Sequence, residues 1–129
     1  MDSPSLDRSF LSLAEALPMS VICKDLDGRR TYVNQHYCKL HGVAVEDVIG
    51  KTDHDLFPSE SAALFRADDR TVIETGQSLH DVEELPGIDG VSRHIDRIKT
   101  PLKDDAGVVN GVLLLFRDVT EGVTTLRAL

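Results

Sequence analysis

Apolar positions recur along this 129-residue chain first with a helical period, then with a strand period, then with each in turn. Leu6, Phe10, Leu13 and Leu17 stand four, three and four apart, one stripe of an amphipathic helix over residues 5–17 that Pro18 closes. Residues 20–24 and 30–33 read as strands joined by the tight turn Asp25-Leu26-Asp27-Gly28. Asn34 suits the N-cap of a short helix reaching His41, with Gly42 as its stop. Residues 45–49 make one further helical turn ended by Gly50, and residues 51–58 read as a loop. Ser59 then caps the longest helix, which runs to Thr75 and stops at Gly76. Strands over 79–85, 92–100 and 108–119 follow, with turns at 86–90 and 104–107 and with Pro101 ending the middle strand.

That order of elements predicts an α+β domain, an antiparallel sheet with its helices segregated to one face. The last strand is apolar on both sides from Gly111 to Phe116, so both its faces must be covered. The short helices serve one face, and the N-terminal helix or a second subunit the other. The length fits a single domain.

A net charge of −8 changes the list of partners. Basic residues are scattered among acids, which argues against the clustered footprint of a nucleic-acid binder and against an anionic membrane surface. No run approaches the roughly 18 apolar residues of a membrane span, and the Met-Asp-Ser-Pro start lacks the basic region of a secretion signal. A cytoplasmic domain without direct membrane contact is expected. Cys23 and Cys38 then read as free thiols, one on a strand and one on a short helix.

Several fragments, each weak alone, resemble the PAS domains of bacterial and archaeal signalling proteins when taken in order over residues 10–121. They are the segments 16–29 (Ala-Leu-Pro-Met-Ser-Val-Ile-Cys-Lys-Asp-Leu-Asp-Gly-Arg), 32–35 (Tyr-Val-Asn-Gln), 48–53 (Val-Ile-Gly-Lys-Thr-Asp) and 55–58 (Asp-Leu-Phe-Pro). Thr75-Gly76, the Lys-Thr-Pro-Leu-Lys-Asp run at 99–104 and the Arg-Asp-Val-Thr-Glu run at 117–121 complete the set. The resemblance implies a five-stranded antiparallel sheet, a cavity between sheet and helices, and sensory or dimerisation work inside a larger protein. It implies a flanking helix over 1–19, the sensory domain over 20–120 and the start of a connector over 121–129. Asp118, Val119 and Thr120 would be the exit by which signal reaches a downstream domain. Two departures stand out: Ala44 replaces a helix-capping Ser or Thr, and His94 and Asp96 occupy positions where relatives carry bulky apolar residues.

Against that pattern the chemistry can be sorted. The Asn-Cys-Arg-Phe run of photoactive relatives is missing, so no covalent flavin is expected. Residues 59–76 hold no His, Met or Cys, so the long helix offers no haem ligand. His36, His41, His54, His80 and His94 are dispersed, and no metal is expected. Asp53-His54-Asp55 could touch a cation, but loop capping by the two aspartates is the simpler role. No nucleophile elbow or phosphate-cradling glycine loop occurs, which points to a regulatory domain without catalysis of its own.

The long helix carries Ala62, Phe65, Val72 and Ile73 on one face, with Asp69 in their midst. A carboxylate there needs a partner. Strand alternation puts Ile95, Arg97 and Lys99 on one side, assigned inward with Val112, Leu114 and Phe116 by analogy with ligand-holding relatives. Arg97 then either grips a small anionic ligand or simply pairs with Asp69 to fix the helix on the sheet. Tyr37 and Phe65 are either pocket walls or ordinary core. The candidate ligand-binding set is Tyr37, Phe65, Asp69, Ile95, Arg97, Lys99, Leu114 and Phe116. A small organic or anionic ligand would fit, and a filled core serving only dimerisation or docking is the competing reading. Leu6, Phe10, Leu13 and Leu17, with the outer sheet face, are the expected homodimer surface.

Overall fold

The computed structural model describes residues 6–85 and 92–120. Helix α1 (Arg8–Ala16) precedes strands β1 (Ser20–Asp25) and β2 (Arg30–Val33). Helix α2 (Gln35–His41), a 3-10 turn (Val45–Asp47), α3 (Asp53–Leu56) and α4 (Ser59–Thr75) follow, and β3 (Leu79–Leu85), β4 (Arg93–Lys103) and β5 (Val109–Asp118) close the domain. The five strands form one sheet in the order β2-β1-β5-β4-β3, every described pairing antiparallel. Among the described residues no helix is long and apolar enough to cross a membrane.

Local chemistry sets most boundaries. Asp7 caps α1 by accepting from Phe10 N–H. Asn34 caps α2 by accepting from Tyr37 N–H, and Gly42 ends that helix in the left-handed region. Gly76 ends α4 in the same way, its N–H donating to Val72. Three expectations fail for physical reasons. Ser59 is not a cap: Pro58 holds that position without a side-chain bond, and its carbonyl accepts from Ala62 N–H. Residues 53–56 are helical rather than loop, because Thr52 and Asp55 cap each other reciprocally. Strand β4 runs through Pro101 to Lys103, because Pro101 lies past the last β3 pairing at Leu79–Lys99 and needs only β5 as a partner. Within α1 the stripe is divided: Leu13 is 60% exposed, whereas Leu6, Phe10 and Leu17 are half-buried and Ala14 is fully buried. The turn expected at 86–90 and the connector over 121–129 lie outside the described residues.

Strand β1 is the centre of the core. Ile22 packs with Val33, Tyr37, Cys38 and Val48 on the side of α2 to α4. Val21 and Cys23 point the other way and are equally buried, with Phe10 of α1 edge-on to Tyr32 of β2 at 6.2 Å between ring centres. Burial pushes the Cys23 thiol up to about 12, so it is an inert core group. At the β1–β2 turn Gly28 has φ +83, and a Cβ there would meet Arg66 Nη1 at 3.0 Å. Gly28→Ala therefore costs left-handed strain plus displacement of Arg66. A stability loss of about 1–3 kcal/mol in urea titration is expected, against no measurable loss for Ala at an exposed α4 position such as Glu74.

Candidate functional site

Reading the sheet across its strands shows how the inner face is divided. One row is Pro101, Val112, Lys24 and Arg30; the next is Leu79, Lys99, Leu114, Ile22 and Val33; the third is Asp81, Arg97, Phe116 and Ser20. Helix α4 lies over these rows and places Phe65, Asp69 and Val72 at helical spacing on one face.

Over the first two rows sits a buried charge network. Asp69 Oδ2 accepts from Lys24 Nζ at 3.0 Å and Asp69 Oδ1 from Lys99 Nζ at 2.8 Å. Lys24 also donates to Asp53 Oδ2 at 2.9 Å, Arg30 Nη2 donates to Asp53 Oδ1 at 2.7 Å, and Lys99 reaches the Phe65 carbonyl at 3.2 Å. All five side chains are 4% exposed or less. Burial pushes the Asp53 carboxyl up, but Lys24 and Arg30 outweigh it and hold the group below its ordinary value.

Arg97 does not meet Asp69, and the expected pair is replaced by two separate ones. Arg97 and Lys99 share a face two residues apart, and it is Lys99 that lies under Asp69. Arg97 sits directly across from Asp81 on β3, donating to it through Nε at 2.6 Å and Nη2 at 3.0 Å. Asp68 at 3.4 Å and Glu83 at 3.5 Å complete its shell. The hydrogen bond to Asp81 raises the Arg97 pKa and holds the Asp81 carboxyl down.

Beside this network lies a cavity of about 270 Å³. Its walls are Tyr37, Leu40 and His41 from α2, Phe57 and Phe65 around the start of α4, and Ile22, Arg30, Glu83, Ile95, Arg97, Leu114 and Phe116 from the sheet. The structure thus brings together on one cavity Tyr37, Phe65, Ile95, Arg97, Leu114 and Phe116, while Asp69 and Lys99 lie in the charge network. The His41 ring lies tilted against Tyr37, 4.4 Å between ring centres, and approaches the Phe116 ring at 6.1 Å. Burial lowers the His41 pKa and the Arg30 charge lowers it further. Sequence reasoning missed Arg30 and Phe57, whose guanidinium and ring lie 5.9 Å apart. It also missed Lys24, although alternation from Ile22 would have put Lys24 on the core face.

Asp53 pairs with Lys24 and Arg30, and Asp55 accepts from Thr52, the capping role expected of the loop aspartates. A second, polar cleft of about 360 Å³ borders the network at Asp53, between the β1–β2 turn and α4, with His54, Arg66 and Arg70 on its walls. At the exit, Thr120 Oγ1 accepts from His94 N–H at 2.8 Å and bonds Asp118 Oδ1 at 2.5 Å, while Val119 N–H donates to the His94 carbonyl. Asp118 to Thr120 are therefore tied to the start of β4. His94 is buried, and Asp96 faces His80 on the neighbouring strand at 2.6 Å.

Comparison with known proteins agrees with this architecture. The model of a family described as PAS fold matches residues 14–124. An uncharacterized protein, y4lL, of Sinorhizobium fredii is 33% identical over 97% of this chain, and the methanogenesis regulatory histidine kinase FilI of Methanothrix harundinacea is 25% identical over 89%. This chain spans 15% and 13% of those two proteins. Among solved structures, VqmA bound to DPO is 36% identical with a TM-score of 0.71, covering 88% of this chain and 58% of that one. The VqmA dimer of Vibrio cholerae in the absence of target DNA is also 36% identical, with a TM-score of 0.72, covering 91% of this chain and 54% of that one.

Proposed function

The chain belongs to the PAS fold family, and on that footing we propose that it is the sensory module of a longer signalling protein, binding a small molecule in the cavity between sheet and helices. The observation that carries this reading is the cavity itself. It offers about 270 Å³ ringed by four aromatic side chains, a shape and lining suited to a small ring-bearing molecule. An engineered cavity of about 150 Å³ accommodates benzene, so this one suits a substituted or fused ring. The similarity to VqmA, which is solved bound to DPO, supports a small-molecule occupant. It supplies no ligand identity for this chain.

Binding would act by population shift. A ligand that prefers one spacing of α2 and α4 over the sheet moves Arg97 and Phe116, which face each other across β4 and β5. Asp118 follows Phe116 by two residues on β5, so the shift leaves through Asp118, Val119 and Thr120. In this reading the domain has no catalytic role, and it pairs with a second copy through the exposed side of α1. DNA contact, as named for VqmA, would fall to another segment, since the basic residues here are scattered.

Native mass spectrometry of the chain, with thermal melts against small aromatic compounds, tests the proposal. The expected result is a noncovalent adduct or a compound that raises the melting temperature by several degrees, abolished by a cavity-filling Leu114→Phe that keeps the fold. An adduct-free chain whose melting no compound shifts would leave the docking module as the better reading.

A further inference from the structure

The cavity is electrically lopsided. At the β2 side stands Arg30, part of a buried cluster in which three cations, Lys24, Arg30 and Lys99, face two carboxylates, Asp53 and Asp69. That cluster carries one positive charge in excess. A buried charge without a counter-charge is costly. At the β3 side the balance reverses, because Arg97 is surrounded by Asp81, Asp68 and Glu83.

Among the described residues of the cavity wall, one buried side-chain donor lacks a hydrogen-bond partner. Arg30 gives Nη2 to Asp53 and Nη1 to the Lys51 carbonyl at 3.3 Å, while its buried Nε–H has no partner. Arg97, in contrast, has carboxylates on Nε, Nη1 and Nη2. Arg30 is itself part of the cavity wall, its guanidinium 5.9 Å from the centre of the Phe57 ring.

We infer that the cavity selects an aromatic monoanion, its ring held by Tyr37, Phe57, Phe65 and Phe116 and its carboxylate or phenolate oxygen drawn to Arg30. The inference rests on the sensor reading and deepens it by naming the ligand class. A neutral isostere would fill the same volume but leave the surplus charge uncompensated. A dianion would place its second charge against Glu83 and be rejected.

Titration calorimetry of the 129-residue chain with 2-naphthoate and 2-naphthamide, matched in shape and different in charge, tests it. Naphthoate is expected to bind at least tenfold more tightly, with the gap shrinking severalfold in Arg30→Gln and in Arg30→Lys. Circular dichroism would show that each variant folds. The wild-type comparison stands even if neither variant does. Equal affinities would overturn the anion and leave the sensor reading intact. No binding of either compound at millimolar concentration would overturn both. A preference for naphthoate that Arg70→Ala removes and Arg30→Gln does not would place the anion in the outer cleft and overturn the assignment.

Discussion

Asp69→Asn should cost about 3–5 kcal/mol of folding stability, the range found when one partner of a buried ion pair is removed. The carboxylate lies 1% exposed between two ammonium groups, and its neutral amide would leave Lys24 and Lys99 facing each other. Because a small domain has about 5–15 kcal/mol in total, the variant should show a much lower urea midpoint or fail to fold at all. The companion measurement separates charge from shape. Adding Lys99→Met removes one of the stranded cations, so the double variant should be more stable than Asp69→Asn alone. A single-variant loss below about 1 kcal/mol would mean that water reaches the network and screens it.

Asn34→Asp should be nearly as damaging, although aspartate and asparagine are equally good helix caps in general. Asn34 is 0% exposed and uses its whole amide. Its Oδ1 accepts from Val21 N–H at 3.1 Å and Tyr37 N–H at 3.0 Å, and its Nδ2 donates to the Ala14 and Met19 carbonyls at 2.9 Å each. One side chain thus joins α1, β1 and α2. A carboxylate in that place turns two donated bonds into repulsions, and a loss of about 3 kcal/mol or more is expected. The pH dependence gives the signature. The site favours the protonated acid, so the new carboxyl has a raised pKa in the folded state, and its penalty is full above that pKa. The penalty fades as pH falls toward the unfolded value of about 3.9. Wild type should not share that relative gain on mild acidification. Equal losses for Asn34→Asp at pH 7 and pH 5 would count against this account.

How far the sequence foretells all this depends on the range of the physics involved. Asn34, Gly42 and Gly76 were legible because caps and left-handed stops are decided within a few residues. Asp69 was legible as a problem, a charge on an apolar helix face, because helical projection is also local. Its solution was not. Alternation says that Arg97 and Lys99 share a side of β4, but which of them lies beneath α4 depends on how the helix crosses the strands. The loop around Asp53 shows the same limit. Its capping by Thr52 and Asp55 is local, whereas the pairing of Asp53 with Lys24 and Arg30 needs the whole inner face assembled. The cavity was expected from family resemblance alone, since a void is missing volume and no residue announces it.

Strand order has a consequence for how the molecule comes into being. The central pairing joins β1, the first strand made, to β5, the last described, with Ser20 opposite Phe116. During synthesis β1 emerges early and can pair at once with β2, but its other edge waits until residues near 109–118 have been delivered. Contacts this distant in sequence close slowly, because the intervening chain must first surrender its freedom. In that interval Val21, Ile22 and Cys23 form an apolar strand with one side open, the kind of edge that pairs with neighbouring chains. Translation that stalls before β5 should therefore yield aggregates rather than a smaller folded unit.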